Sequence, residues 1–530
     1  MGTLVNWRRV ALAGLMAAAF AGGGTAGAQE KTLKVVMHSD LKALDPVWSG
    51  AYIVRNHGYL VYDTLFAVDA NLQVQPQMAE SWRQSEDGLV TTITLRPGLL
   101  WHDGTPVTAQ DCVASLMRWQ VRDSMGQKLA DSLKEYRVID ERTLAIVLKE
   151  RFGPLLEAIG KPSVVVPFMM PKRVAETDPF QQISDYTGSG PFILLKDEWK
   201  PGVRVVYVRN PNYQPRAEPP SGLAGGKLAQ LDRIEWTWIP DPQTQVNALL
   251  GGEIDMIESV AYDLLPLLEK DKGVRLIRGI SSNQYVFRMN WLHPPFNNAK
   301  VRQAAFMALR QQDFLEAVVG NSQYWRTCKA LFTCGSPLAT NAGMDGLLEG
   351  NAEEARQMLR EAGYDGAPIV LLQSSDVAVL TNLAPVAKGL LERAGFKVDM
   401  QTMDWQSMVN GLISKKGPPS EGSGWNASAT SWVQVDILDP LMTPYLAATC
   451  DKARAGWPCD ESMETVRAAY ARAISLAEKR QIAERAQVLN TTVVTHIPLG
   501  EWYGVSAVRS NVDTLPAPPP VTVFWGLAKR

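Results

Sequence analysis

The segments "PIVLLQSS" (368–375), "VLTNLAPVAKGLLERAG" (379–395) and "FKVDMQTM" (396–403) lie close together in the chain. The first is a continuous apolar run, the second carries apolar residues at helical spacing and stops at Gly395, and the third alternates as a half-buried strand does. A strand, a helix and a strand of this size make a right-handed crossover between two parallel strands. The chain is therefore α/β here, and open α/β sheets bind ligands outside the carboxyl ends of their strands. Those ends fall at Gln373 to Asp376 and at Asp404-Trp405. The next expected strand, "GWNASAT" (424–430), leads into "SWVQVDILDP" (431–440), which puts Trp432 and Asp436 on the functional rim. Two readings of that pair stay open: a ligand wall, or a tryptophan packed under a lobe beside an aspartate that caps a helix.

Upstream, "LVTTITLR" (89–96), "VRVVYV" (203–208) and "LDRIEWTWI" (231–239) are rich in branched and aromatic residues and read as strands. Residues from about 108 to 185 read as mostly helical. That stretch would be a lobe inserted into another. It opens with "TAQDCVASLMRW", a helix capped by Thr108 with Asp111 as the reciprocal acid.

The first residues carry Arg8-Arg9, an apolar run from Val10 to Phe20 and small residues ending Ala26-Gly27-Ala28. This is the plan of a cleavable export signal over 1–28, which would leave Gln29 as the mature N-terminus. The paired arginines leave general and twin-arginine export both open. Roughly 500 residues remain, more than one core organises, so two or three lobes are expected. A formal net charge of −2 shows no basic excess, which argues against nucleic acid as the partner.

Five cysteines fall as Cys112 alone, Cys328 near Cys334, and Cys450 near Cys459. In an exported chain the close pairs read as two local disulfides, and Cys112 as a buried thiol on the apolar face with Leu116 and Trp119. The histidines, His38, His57, His102, His293 and His496, form no HxH or HExxH pair, so no metal or cofactor site is expected. No GxSxG elbow or Walker loop occurs, and no GxGxxG follows a strand; no catalytic residue is assigned. Sixteen tryptophans are present, and Trp48, Trp101, Trp425, Trp432 and Trp457 sit beside turn-forming residues. As a group they suit a protein that encloses an organic ligand between lobes.

Five blocks then resemble one family, the extracytoplasmic solute-binding proteins of ABC importers in the oligopeptide-, dipeptide- and nickel-binding group. They are "LDPVWSGAYIVRNHGYLVYDTLF" (44–66), "MAESWRQSEDGLVTTITLRPGLLWHDGTPVTAQDCVASLMRW" (78–119), "GSGPFILLKDEWKPGVRVVYVRNPNY" (188–213), "GGEIDM" (251–256) and "PPFNNAKVRQAAFMAL" (295–309). The resemblance implies an α/β, periplasmic-binding-protein-like fold of two lobes with an additional domain inserted in the first. Lobe I would span 29–280, including the insert at about 75–187, lobe II 281–500, and 501–530 would return to lobe I. "SSNQYVFRMN" (281–290) and "PLGEWYGVSAVR" (498–509) resemble the two crossings.

In peptide-binding relatives a Gly-Trp step precedes, by three residues, an aspartate that pairs with the peptide ammonium. Here Ser431-Trp432 replaces that step and Asp436 comes four residues later, with Asp439 as the other acid. The resemblance places Ala51, Tyr52, Arg122, Met125, Tyr285 and Tyr503 on the opposing walls; the strand ends add Trp405. It implies a monomeric periplasmic protein that takes a small, peptide-like organic solute to a membrane permease. A secreted hydrolase using the same cleft, and a sensor or chaperone, are the rival expectations.

Overall fold

The computed structural model describes residues 30–530 apart from 280, 420, 421, 423 and 516–518. The export signal and its cleavage point lie outside these described residues. The crossover expected at 368–403 is present: Ile369–Ser374 and Val398–Met403 pair in parallel, and the helix between them is Leu383–Arg393. That helix starts four residues later than the periodicity predicts, and Pro385 explains how it tolerates a proline. With Asn382 as the N-cap, Pro385 is the third helical residue, where a backbone N–H would have no partner within the helix. The strand Ala427–Val433 lies parallel to Ile369–Ser374 on its other side. It runs three residues past the expected end, so Trp432 belongs to the strand itself.

This sheet has six strands in the order Trp325–Arg326, His496–Trp502, Asn283–Met289, Ala427–Val433, Ile369–Ser374, Val398–Met403. A second sheet has seven: Phe192–Leu194, Arg204–Arg209, Arg233–Thr237, Thr32–Val36, Met256–Ile257, Val505–Arg509, Val274–Arg278. Each organises one lobe of an α/β fold. The chain passes from the larger sheet to the smaller between Arg278 and Asn283, and returns between Trp502 and Val505. A hinge of two short connecting segments is the geometry that lets lobes close over a ligand.

The stretch 108–185 is less helical than expected. Its helices Ala109–Arg122 and Ser124–Ser132 are followed by Leu133–Val138 and Thr143–Leu148, which join Ala79–Gln84 and Val90–Leu95 in a four-stranded antiparallel sheet. "TLAIVL" buries five consecutive residues, and Asp140 Oδ1 accepts from Arg142 N at the intervening turn, so hairpin pairing wins over helix. The first helix carries the expected capping box of Thr108 and Asp111, with Cys112, Leu116 and Trp119 buried.

The disulfides Cys328–Cys334 and Cys450–Cys459 are formed, with Cα separations of 5.9 and 4.1 Å, and Cys112 is free and buried. Burial pushes the Cys112 thiol pKa up, which keeps it protonated and unreactive. Non-reducing peptide mapping is expected to recover those two links and to alkylate Cys112 only after unfolding. A link through Cys112 would refute the assignment. The sulfurs of Cys328 and Cys334 lie near the Glu501 carboxylate, but that carboxylate is bonded by Arg326 and by Cys334 N, so the group is a structural knot.

Candidate functional site

A cleft of about 1450 Å³ opens between the two sheets. The first lobe contributes the segment Trp48 to Tyr52, which enters the helix Tyr52–Val61. Asp45 shapes that segment. Its carboxylate, fully buried, accepts from Val47 N, Trp48 N and Ile183 N at 3.0 to 3.1 Å and is clasped by both Arg118 terminal nitrogens at 3.1 and 2.8 Å. The inserted domain adds the end of the Ala109–Arg122 helix and the start of the next, where Asp123 caps by accepting from Met125 N and Gly126 N. The second lobe contributes Ser428, Thr430 and Trp432 from its strand, then the loop 444–455.

Strand alternation decides which side chains reach the cleft. On Asn283–Met289 the residues Tyr285, Phe287 and Met289 point into the helix-packed core, while Arg288 points to the cleft beside Ser428. Tyr285 is thus corrected from cleft wall to core: it is fully buried, stacked on Trp502 with centroids 5.3 Å apart. Met125 is corrected likewise, because the Asp123 cap turns it inward to full burial while Ser124, Gln127 and Lys128 line the cleft. Tyr503 stands beside the crossing under Arg278, 4.1 Å from its ring, and its neighbours Trp502 and Gly504 are the residues at the cleft. Ala51, Tyr52, Arg122, Trp405 and Trp432 do line it.

Asp436 lies one layer behind the wall. The turn Gln434–Asp436 folds back after the strand, and the carboxylate is completely buried. Tyr52 Oη donates to Asp436 Oδ2 at 2.6 Å, Ser163 Oγ donates to the same oxygen at 3.1 Å, and Arg55 Nη1 donates to Ser163 Oγ at 2.7 Å. Val433 N in turn donates to Tyr52 Oη at 2.9 Å. Burial pushes the Asp436 pKa up, against the pull of Tyr52, Arg55 and Lys161. Asp436 is therefore corrected from the cleft rim to a place behind the wall, where Tyr52 and Ser163 donate to Oδ2 and Oδ1 is buried with no partner among the described residues. Asp439 has a local task, accepting from Leu441 N and Met442 N to close a turn.

These bonds join the lobes directly, as do Lys42 with Asp404 at 2.9 Å and Gln406 with Ser39 at 3.1 Å. Trp432 stands edge-on to Tyr52 and Tyr445, with centroids 6.3 and 5.0 Å away, and Arg454 lies 5.1 Å above its ring. Sequence reasoning missed Arg288, Arg454 and Tyr445. Arg288 had a legible signal, an arginine in the otherwise uncharged strand "NQYVFRM"; the loop residues had none.

A large cleft between two α/β lobes joined by two crossings is the architecture of a solute-binding protein. The chain belongs to the bacterial extracellular solute-binding proteins, family 5, whose model matches residues 73–453. It is 36% identical over 515 residues to a probable peptide ABC transporter periplasmic-binding protein of Sinorhizobium fredii, covering 95% of this chain and 94% of that one. It is 26% identical over 414 residues to the glutathione-binding protein GsiB of Escherichia coli, 75% of each chain. A similar solved structure is the dipeptide binding protein from Pseudoalteromonas sp. SM9913 in complex with Met-Leu, with a TM-score of 0.78 and 16% identity over 94% of this chain and 100% of that one.

Proposed function

We propose that this chain is the solute-binding component of an ABC importer, capturing a small, peptide-like organic solute between its lobes and handing it to a membrane permease. The observation that carries this reading is the cleft of solute size between the two lobes, which the Tyr52 to Asp436 bond bridges from behind its wall. The protein acts as a periplasmic monomer without a cofactor and returns its solute unchanged. Its lobes are 29–280, with the insert at about 75–187, and 281–500, with 501–530 returning to the first. Among the described residues no helix is long and apolar enough to cross a membrane.

Native mass spectrometry of protein purified without refolding should find one solute per chain, chemically unaltered after incubation. Accumulation of a cleavage product would favour the hydrolase reading. Because the small residues end at Ala28, the mature protein is expected to begin at Gln29. N-terminal sequencing that finds the apolar run retained would rule out release into the periplasm.

A further inference from the structure

The charges of the cleft are unbalanced in one direction. Among the described residues four carboxylates line it, and each has a basic partner: Asp123 with Lys161, Asp131 with Lys128, which Glu464 shares, Glu258 with His38, and Asp451 with Lys416. Among the described residues, Arg122, Arg288 and Arg454 have no carboxylate partner at all. Arg288 is buried, donates only to Ser428 Oγ and the Ala455 carbonyl at 3.2 to 3.3 Å, and lies between the Trp425 and Tyr445 rings. Arg122 donates to the Trp48 carbonyl at 2.8 Å. Arg454 comes from the opposite lobe and lies against Gly50, where a Cβ would sit 2.9 Å from its Nη2. The segment 48–50 therefore touches both guanidinium groups. Beside them, Arg467 Nη2 and Trp432 Nε1 are buried donors without an acceptor.

A buried guanidinium without a counter-charge costs free energy that a paired one does not, and a neighbouring cation adds to it. Burial and the Arg454 charge both push the Arg288 pKa down, and the same two effects act on Arg122. Asp436 is turned inward behind the wall, and the cleft-lining carboxylates among the described residues each have a basic neighbour.

We propose that the solute is an anion, held by carboxylate groups laid against Arg122, Arg288 and Arg454, and that a free amino group is not needed for recognition. This rests on the solute-binding reading and narrows it. Guanidinium forks match carboxylates two bonds at a time, and the flanking tryptophan and tyrosine rings pack the organic remainder.

Two measurements test it. The first is the exact mass and charge of the solute released from native protein, expected to be a polycarboxylate or an acidic, amine-blocked peptide. A neutral or cationic solute overturns the inference and leaves the solute-binding reading standing. The second is calorimetric titration with N-acetyl-Asp-Glu, which has three carboxylates and no amine, against the isosteric N-acetyl-Asn-Gln amide. The acidic probe should bind roughly 100-fold tighter. Arg454→Gln and Arg288→Gln should each cost it about tenfold or more while leaving the neutral probe unaffected. Among the described residues the Arg454 guanidinium makes no hydrogen bond, so that variant reports binding even if Arg288→Gln folds poorly, and thermal melts check both. Equal binding of the two probes, or equal losses in the variants, overturns the inference alone. Failure of both probes together with the absence of any retained solute would overturn both readings.

Discussion

Arg118→Met is expected to lower stability by about 3–5 kcal/mol, because it strands a buried carboxylate rather than deleting a pair. The side chains of Arg118 and Asp45 are only 1% and 0% exposed, and the guanidinium also donates to the Thr177 and Gln181 carbonyls. Asp45 would keep three backbone donors but lose its counter-charge. Its segment, which carries Trp48 and Ala51 to the cleft, would loosen at the same time. Urea unfolding of the two chains side by side measures this, as a shift of the first transition. A cost below about 1 kcal/mol would mean that Asp45 is balanced by its backbone donors alone.

Asp436→Ala is expected to weaken every solute by the same factor, on the order of 10- to 100-fold. The residue closes a bond between the lobes and lies behind the cleft wall. The bond from Tyr52 to this carboxylate is made across the lobes, so its charge-assisted contribution of about 1.5–3 kcal/mol stabilises the closed form specifically. A bond present in only one of two conformations shifts their populations, and apparent affinity falls with the population competent to bind. Tyr52→Phe should behave alike, and the double variant should lose little more than either single one, since each removes the same bond. Calorimetry with N-acetyl-Asp-Glu, its neutral counterpart and the unblocked dipeptide Asp-Glu, which carries an ammonium, checks it. A loss confined to amine-bearing ligands would restore Asp436 as a direct ammonium partner. Trp432→Ala should likewise weaken both probes, in this case through lost packing of the ring against the solute.

Much of this architecture was legible in the chain. The crossover at 368–403, the capping box at Thr108 and the cysteine pairs are local statements, set by period, side-chain chemistry and proximity in sequence, and the structure contains each of them. The family resemblance placed Tyr52, Arg122 and Trp432 at the cleft, where they are. What went astray was local direction. Tyr285 shares the alternation of Phe287 and Met289, opposite to that of the cleft-facing Arg288, so the two-residue repeat sends it into the core. Met125 was displaced by a cap, Tyr503 by its place beside the crossing.

Asp436 was the harder case. Its neighbours in sequence say nothing of Tyr52, 384 residues away, whose hydroxyl decides whether that carboxylate is a ligand anchor or a latch. The charge balance of the cleft is of the same kind, since Arg122, Arg288 and Arg454 come from an inserted domain, a strand and a loop. The sequence alone determined that the chain is α/β, two-lobed and built to enclose a solute, because periodicity and motif order act over tens of residues. Which carboxylates find cations, and which arginines are left for the solute, only the tertiary structure decided. Ionic pairing acts over a few ångströms in space and is indifferent to separation along the chain.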